Sequence, residues 1–303
     1  MTHHYNHRFG DYSDLPEGSK STQLPDVPVE RYLNPNYTTM PRYWVRDEEV
    51  LKRIPESTQF LMGWRDIAGS TNERTVIATM TPIVGFGNTE SLFFLKDGGA
   101  GDGLGHTICA DWSSYVHDYI ARQKISGTHL SMFIVKQIPT LPPSTYSSPC
   151  PFSPDMTVAD YIKPRVLELA YTAWDMQGFA ESVGYEGEPF RWDDERRFIL
   201  RCELDALFFG LYFGFGEWRE ATEHPESEEE FAALTDLFPT PIDALDYVMG
   251  TFPIVRRKEL EDELKMRVAQ EFLKKRGLEL GEFFPSHALI RAIYGDMSRQ
   301  PSA

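Results

Sequence analysis

Between residues 118 and 143 the chain reads Asp-Tyr-Ile-Ala-Arg-Gln-Lys-Ile-Ser-Gly-Thr-His-Leu-Ser-Met-Phe-Ile-Val-Lys-Gln-Ile-Pro-Thr-Leu-Pro-Pro. Arg122, Gln123 and Lys124 stand together, and Thr128 and His129 follow on a turn. A guanidinium or ammonium neutralises phosphate, and a primary amide matches the paired donor and acceptor of an adenine edge. A second polar stretch, Ala68-Gly69-Ser70-Thr71-Asn72-Glu73-Arg74, offers the same kinds of group. Arg74, Arg122 and Lys124 are expected on phosphate or guanine, and Asn72 and Gln123 on adenine. The competing reading is structural. In it Asp66 pairs with Arg74, and Arg122 ties its helix to a sheet.

Other chemistries find no constellation. Covalent catalysis needs a hydroxyl or thiol beside a base, and no Gly-x-Ser-x-Gly elbow occurs. His3, His4 and His7 have no carboxylate or cysteine to complete a metal site. Asp193-Asp194-Glu195 opens a helix, where acids favour the dipole. His106, His117 and His129 have no paired spacing. Asn34-Pro35-Asn36-Tyr37 lacks the second proline of an Asn-Pro-Pro-Tyr box, and no strand precedes it. Lys96–Gly105 is rich in glycine but lacks the Gly-Lys-Ser/Thr ending of a phosphate loop. The chain alone is expected to perform no chemistry.

The elements that must position the donors follow from periodicity and breakers. Tyr115 and Tyr119 recur at helical spacing, and Gly127 ends that helix. Leu130–Ile138 is apolar and β-branched, which predicts a buried strand, stopped by Pro139, Pro142 and Pro143. Upstream, strands are expected over Pro41–Val45, Phe60–Ile67, Thr75–Met80 and Leu92–Leu95, with a charged helix over Arg46–Ile54. Pro82–Asn88 reads as a loop or edge strand, and Lys96–Gly105 as a flexible loop. Downstream, Thr157-Val158-Ala159-Asp160 starts a helical half. Its helices are expected over Ile162–Phe179 with Pro164 in a first turn, Asp193–Phe213, Ile242–Met249 and Leu260–Lys275. Glu261 and Lys265 have ion-pair spacing on the last of these. The fold class is therefore α+β: an extended, partly disordered entry (1–41), a mixed-sheet α/β domain (42–145), a linker (146–156) and a helical C-terminal domain (157–303).

Of 303 residues, 30 are Lys or Arg and 46 Asp or Glu, a net charge of −16. That acid lies mostly in the second half, above all in Glu217–Glu230 and Glu259–Glu263, while the first half is balanced. Such asymmetry predicts two modules with different duties. Cys109, Cys150 and Cys202 are far apart and odd in number, as expected of free thiols in a cytoplasmic protein. No apolar run is long enough for a membrane span.

Taken together, these motifs carry a resemblance. Trp64-Arg65-Asp66-Ile67, Thr71-Asn72-Glu73-Arg74-Thr75-Val76-Ile77-Ala78, the run from Asp118 to Leu130, Gln137-x-Pro139 and Leu141-Pro142-Pro143 follow one another in that order. They resemble the C-terminal part of the large adenine-N6 DNA methyltransferases of bacterial restriction–modification and phage-defence systems, DISARM-like loci included. Tyr5-Asn6-His7-Arg8-Phe9, Pro41-Arg42-Tyr43-Trp44-Val45 and Thr251–Lys258 extend the likeness over nearly the whole chain. The resemblance implies a target-recognition region over 42–145 that reads DNA, followed by a helical tail. It implies double-stranded DNA as partner, and a methyltransferase core outside this chain that binds S-adenosylmethionine. No cofactor is expected in the chain itself. The expected DNA-contacting residues are Arg65, Thr71, Asn72, Arg74, Arg122, Gln123, Lys124, Thr128, His129 and Lys136. The alternative is an acidic protein-interaction or DNA-mimic module that binds no DNA.

Overall fold

In a computed structural model, residues 2–19, 24–69, 72–95, 104–219 and 227–299 are described. The central strand β1 (Leu61–Arg65) pairs antiparallel with β2 (Ala78–Thr81) on one side and β3 (Glu90–Phe93) on the other. Gly63 permits this closeness, because a Cβ there would stand 2.5 Å from the Ser91 carbonyl oxygen. The sheet is antiparallel throughout, not mixed, and β3 is half-buried rather than buried. Trp64 is buried in the middle of β1 and donates from Nε1 to the Leu130 carbonyl at 2.8 Å.

The helices follow the chain. Two short ones, α1 (Val29–Tyr32) and α2 (Asp47–Leu51), precede the sheet. The strand expected over Pro41–Val45 is absent: Tyr43, Trp44 and Val45 are exposed and join no strand among the described residues. After the sheet come α3 (Gly105–Trp112) and α4 (Tyr115–Lys124), the latter capped by Ser114. Leu130–Ile138 is not a strand but holds a helical turn, α5 (Met132–Val135). The burial pattern explains this. Leu130 and Ile138 are buried and Ile134 is half-buried, a helical repeat, while Met132 and Phe133 point to solvent. The linker is built: α6 (Pro143–Ser147) leads into a hairpin of β4 (Pro149–Cys150) and β5 (Ser153–Thr157). The glycine-rich loop lies outside the described residues up to Leu104.

The second half is helical. Thr157 and Asp160 form a reciprocal capping box that starts α7 (Val158–Ala170). Because the helix begins at that cap, Pro164 lies inside it rather than in its first turn. Tyr171 ends it, and α8 (Gln177–Ser182) follows after a tight turn. Asp193 caps α9 (Asp194–Phe213), as its acidic start predicts. Then come α10 (Ser227–Leu237), α11 (Pro241–Gly250), α12 (Pro253–Leu260), α13 (Glu263–Lys274) and α14 (Pro285–Arg299). The single helix expected over Leu260–Lys275 is divided, because Asp262 caps a new start at α13. Lys265 therefore meets Glu259 at 3.2 Å and Asp262 at 3.8 Å, not Glu261. Among the described residues no helix is long and apolar enough to cross a membrane. The three cysteines are free and buried.

The largest core joins both halves. Phe60, Met62, Met80 and Val116 pack in one cluster with Leu207, Phe208, Phe209 and Ile290. Residues 2–11, expected as a loose entry, are mostly buried. His3 and Asn6 exchange backbone hydrogen bonds around Tyr5, which adopts φ 54°. His4 Nε2 meets the Val76 carbonyl at 2.7 Å, and Arg197 donates to the Tyr5 carbonyl at 3.1 Å. Arg8 is 0% exposed and donates to the carbonyls of Tyr32, Asn34, Tyr37 and Thr172. This segment thus fastens the stretch before β2 to the residues just after α7 and to α9. Replacing Arg8 with Ala strips the Tyr32 and Thr172 carbonyls of a buried donor; urea denaturation should show a loss of at least about 1–3 kcal/mol.

Asp111 on α3 is a second internal tie. It accepts from Tyr212 at 3.0 Å, from Tyr146 at 3.2 Å and from the Leu141 amide at 3.4 Å. Burial pushes its carboxyl up to about 7, against the pull of those donors. The folded protein therefore holds this proton more tightly than the unfolded chain does. Stability from this group is fully present below about pH 4 and is lost as pH rises through about 7. Asp111→Asn should remove that loss. Denaturant midpoints of the variant, relative to the parent, should rise from pH 4 to pH 7.

Candidate nucleic-acid interface

The two donor-bearing bends are brought together at the end of β1. The Ala68 amide donates to the Thr128 carbonyl at 3.0 Å, and the Leu130 amide to the Asp66 carbonyl at 2.7 Å. Ile67 and His129 form an isolated antiparallel bridge. His129 Nδ1 lies 2.7 Å from Asp66 Oδ2, with the imidazole side chain 62% exposed. Asp66 thus pairs with His129 and not with Arg74.

Below the bends lies a buried carboxylate, Asp118 of α4, which is 0% exposed. Its Oδ2 accepts from Arg74 Nε at 3.0 Å and from the amides of Thr75 and Val76 at 2.8 and 3.2 Å. Its Oδ1 accepts from Arg122 Nε at 2.8 Å. Arg74 also donates to the Ser113 carbonyl at 2.7 Å and lies 4.1 Å over the Tyr115 ring. Burial disfavours its charge, but Asp118 outweighs that and holds the guanidinium above the ordinary arginine value. Arg122 donates to the carbonyls of Asn72 and Glu73 at 2.8 and 2.7 Å and lies 4.2 Å over the Phe252 ring. Both guanidinium groups face inward, so neither is placed to touch DNA. Arg122 does tie its helix to a neighbour, and that neighbour is the first bend rather than the sheet.

The other expected residues divide further. Arg65 is half-buried and stands opposite Glu90 in register. Burial pushes the Glu90 carboxyl up to about 7, opposed by Thr2 and Arg65. Thr71 lies outside the described residues. Asn72, Gln123, Lys124, Thr128, His129 and Lys136 are exposed. Gln123 makes only a 3.5 Å reach back to the Tyr119 carbonyl. Lys124 and Lys136 have no carboxylate partner among the described residues. No group of three metal-ligating side chains gathers among the described residues either.

Two features escaped the sequence reading. Phe133, expected inside a buried strand, is 77% exposed, close in sequence to Lys136 on the same helical turn. Its neighbours Leu130, Ile134 and Ile138 carry a helical period, which was the available signal. Tyr43 and Trp44 are 81% and 78% exposed and stand between Arg42 and Arg46. Exposed aromatic rings beside cations can stack the bases of single-stranded nucleic acid. Arg42 lies 5.9 Å from the Tyr12 ring centre and 5.7 Å from that of Tyr43, in cation–π range of both.

No family model matches this chain, and no curated protein or solved structure matches it. The internal tie and the exposed rim separate cleanly by mutation. Asp118→Asn leaves Arg74 buried without its counter-charge and should cost about 3–5 kcal/mol in thermal or urea unfolding. Lys124→Ala, exposed and unpaired, should stay within about 0.5 kcal/mol of the parent.

Proposed function

We propose that this chain is a DNA target-recognition module that works with a separate adenine-N6 methyltransferase core. The observation that carries this reading is the exposed rim made by the two joined bends, bearing Asn72, Gln123, Thr128 and His129, with Lys124 close by. The likeness of its motifs to the methyltransferase family supports it. With Arg74 and Arg122 held by Asp118, direct reading of bases falls to Asn72 and Gln123, whose amides match adenine. Lys124 and Lys136 serve phosphate, and Phe133 offers an apolar surface for stacking or wedging. The module's task is to hold a duplex while the core extrudes an adenine from the stack; the core supplies S-adenosylmethionine and the chemistry. A net charge of −16 opposes long-range approach, so the isolated module binds weakly.

The acidic-interaction reading has one observation in its favour. Helix α10 starts with Glu228, Glu229 and Glu230, all exposed, and ends at Leu237, which is 74% exposed. Such a face suits a basic partner subunit.

Fluorescence anisotropy of a labelled duplex decides between them. The parent chain should bind with an affinity that falls as salt rises from about 50 to about 200 mM. Replacing Lys124 and Lys136 with Ala should reduce the slope of log affinity against log salt by about 0.9 for each phosphate that is no longer neutralised. No binding at low salt, or an unchanged slope in the double variant, rejects this rim as a DNA-binding surface and leaves the acidic face as the better account.

A further inference from the structure

Where α7 ends, the chain builds a second site that the nucleic-acid rim does not use. Tyr171, Trp174 and Tyr185 line a cleft of about 310 Å³ together with Gln177, Glu181 and Glu186. The Trp174 and Tyr185 rings stand nearly perpendicular to Tyr171. Their planes cross it at 80° and 78°, with centroids 6.4 and 6.0 Å away. Tyr171 is 1% exposed and lies beneath the cleft, while Trp174 is 39% exposed at its edge.

The backbone holds these rings in place. The Trp174 amide donates to the Pro35 carbonyl at 3.0 Å, and the Phe190 amide to the Tyr171 carbonyl at 2.9 Å. At the end of α8 the chain reverses through Gly184, whose φ is +82°. The Tyr185 amide then closes on the Ala180 carbonyl at 2.9 Å, which turns Tyr185 back against Tyr171. Tyr185 stacks in turn on Phe190, with centroids 5.2 Å apart.

The charge around this box has one sign. Glu181 accepts from Gln177 at 2.7 Å, and neither Glu181 nor Glu186 has a cationic partner among the described residues. No Lys or Arg lies over the Tyr171, Trp174 or Tyr185 ring among the described residues, although other aromatic rings of the protein are covered in this way. Burial first, then Tyr185, Glu181 and Glu188, push the Tyr171 phenol up. Aromatic faces are electron-rich and attract cations, most strongly when carboxylates stand at the rim. An anion is repelled here, and a neutral apolar guest leaves the carboxylates without a counter-charge.

We propose that the Tyr171–Trp174–Tyr185 cleft, with Glu181 and Glu186 at its mouth, is a binding site for an alkylammonium cation. The shared chemistry is a substituted ammonium head, carried by a free polyamine or by a lysine side chain of a partner. The site is independent of the DNA reading.

The test uses the full chain labelled with ¹⁵N, following the indole N–H signal of Trp174, assigned with Trp174→Phe. Choline should shift it saturably, and 3,3-dimethylbutanol, its uncharged isostere, should not. Glu181→Gln with Glu186→Gln should weaken choline binding at least tenfold, while the other indole signals stay unmoved. Spermidine binding more tightly than Nα-acetyl-lysine amide, whose ε-ammonium is free, at matched ionic strength assigns a polyamine, and the reverse order assigns a protein side chain. The proposal fails if no cation shifts the signal saturably, if the isostere binds equally well, or if the double variant binds as the parent does.

Discussion

A carboxylate with no solvent-exposed surface governs this fold. Asp118 is fully buried, and an isolated charge in such a place is strongly disfavoured. It persists because Arg74, Arg122 and the amides of Thr75 and Val76 all donate to it. Those donors come from the first bend, the stretch leading into β2, and α4 itself, so solvating one acid fixes three pieces of chain. Tyr115 and Phe252 then cover the two guanidinium planes with aromatic faces. With the frame set from inside, the tips of the bends remain free for solvent or for a partner.

How far this was legible in the sequence depends on the range of each interaction. Local devices were visible. Thr157 with Asp160, and Asp193 at the head of α9, act within a single turn, and both caps stand where the residues predict them. Long-range pairing was not visible. Arg74 and Asp118 are 44 positions apart, and nothing local distinguishes a guanidinium aimed at phosphate from one aimed at a distant carboxylate. Of the expected residues, Asn72, Gln123, Lys124, Thr128, His129 and Lys136 are exposed, whereas Arg74 and Arg122 turn inward onto Asp118. Leu130–Ile138 shows a subtler limit. Its composition favours a strand, yet with Leu130 and Ile138 buried and Phe133 exposed, tertiary packing selects a turn of helix. Among the described residues Pro41–Val45 has no strand to pair with, and propensity alone makes no ladder.

The same contrast applies to the opening residues. Three histidines and little apolar content suggest a solvated lead-in. Instead Arg8 satisfies carbonyls from separate parts of the chain, and His4 closes on Val76. Burial, followed by the nearby cations Arg201 and Arg74, pushes His3 down to about 3, so it stays uncharged at neutral pH. Polar composition here reflects internal hydrogen bonding rather than exposure.

One ion pair gives the helical half a part in whatever the bends do. Lys258 on α12 reaches Glu73 at 2.5 Å, and Phe252, just before the same helix, carries the Arg122 guanidinium. The bend is therefore clamped from outside as well as from beneath. On the same helix, Glu259 accepts from the Ser286 amide at the start of α14 at 2.8 Å. The helical half thus reaches the first bend through Lys258 and Phe252, 185 positions along the chain from Glu73 in the first case.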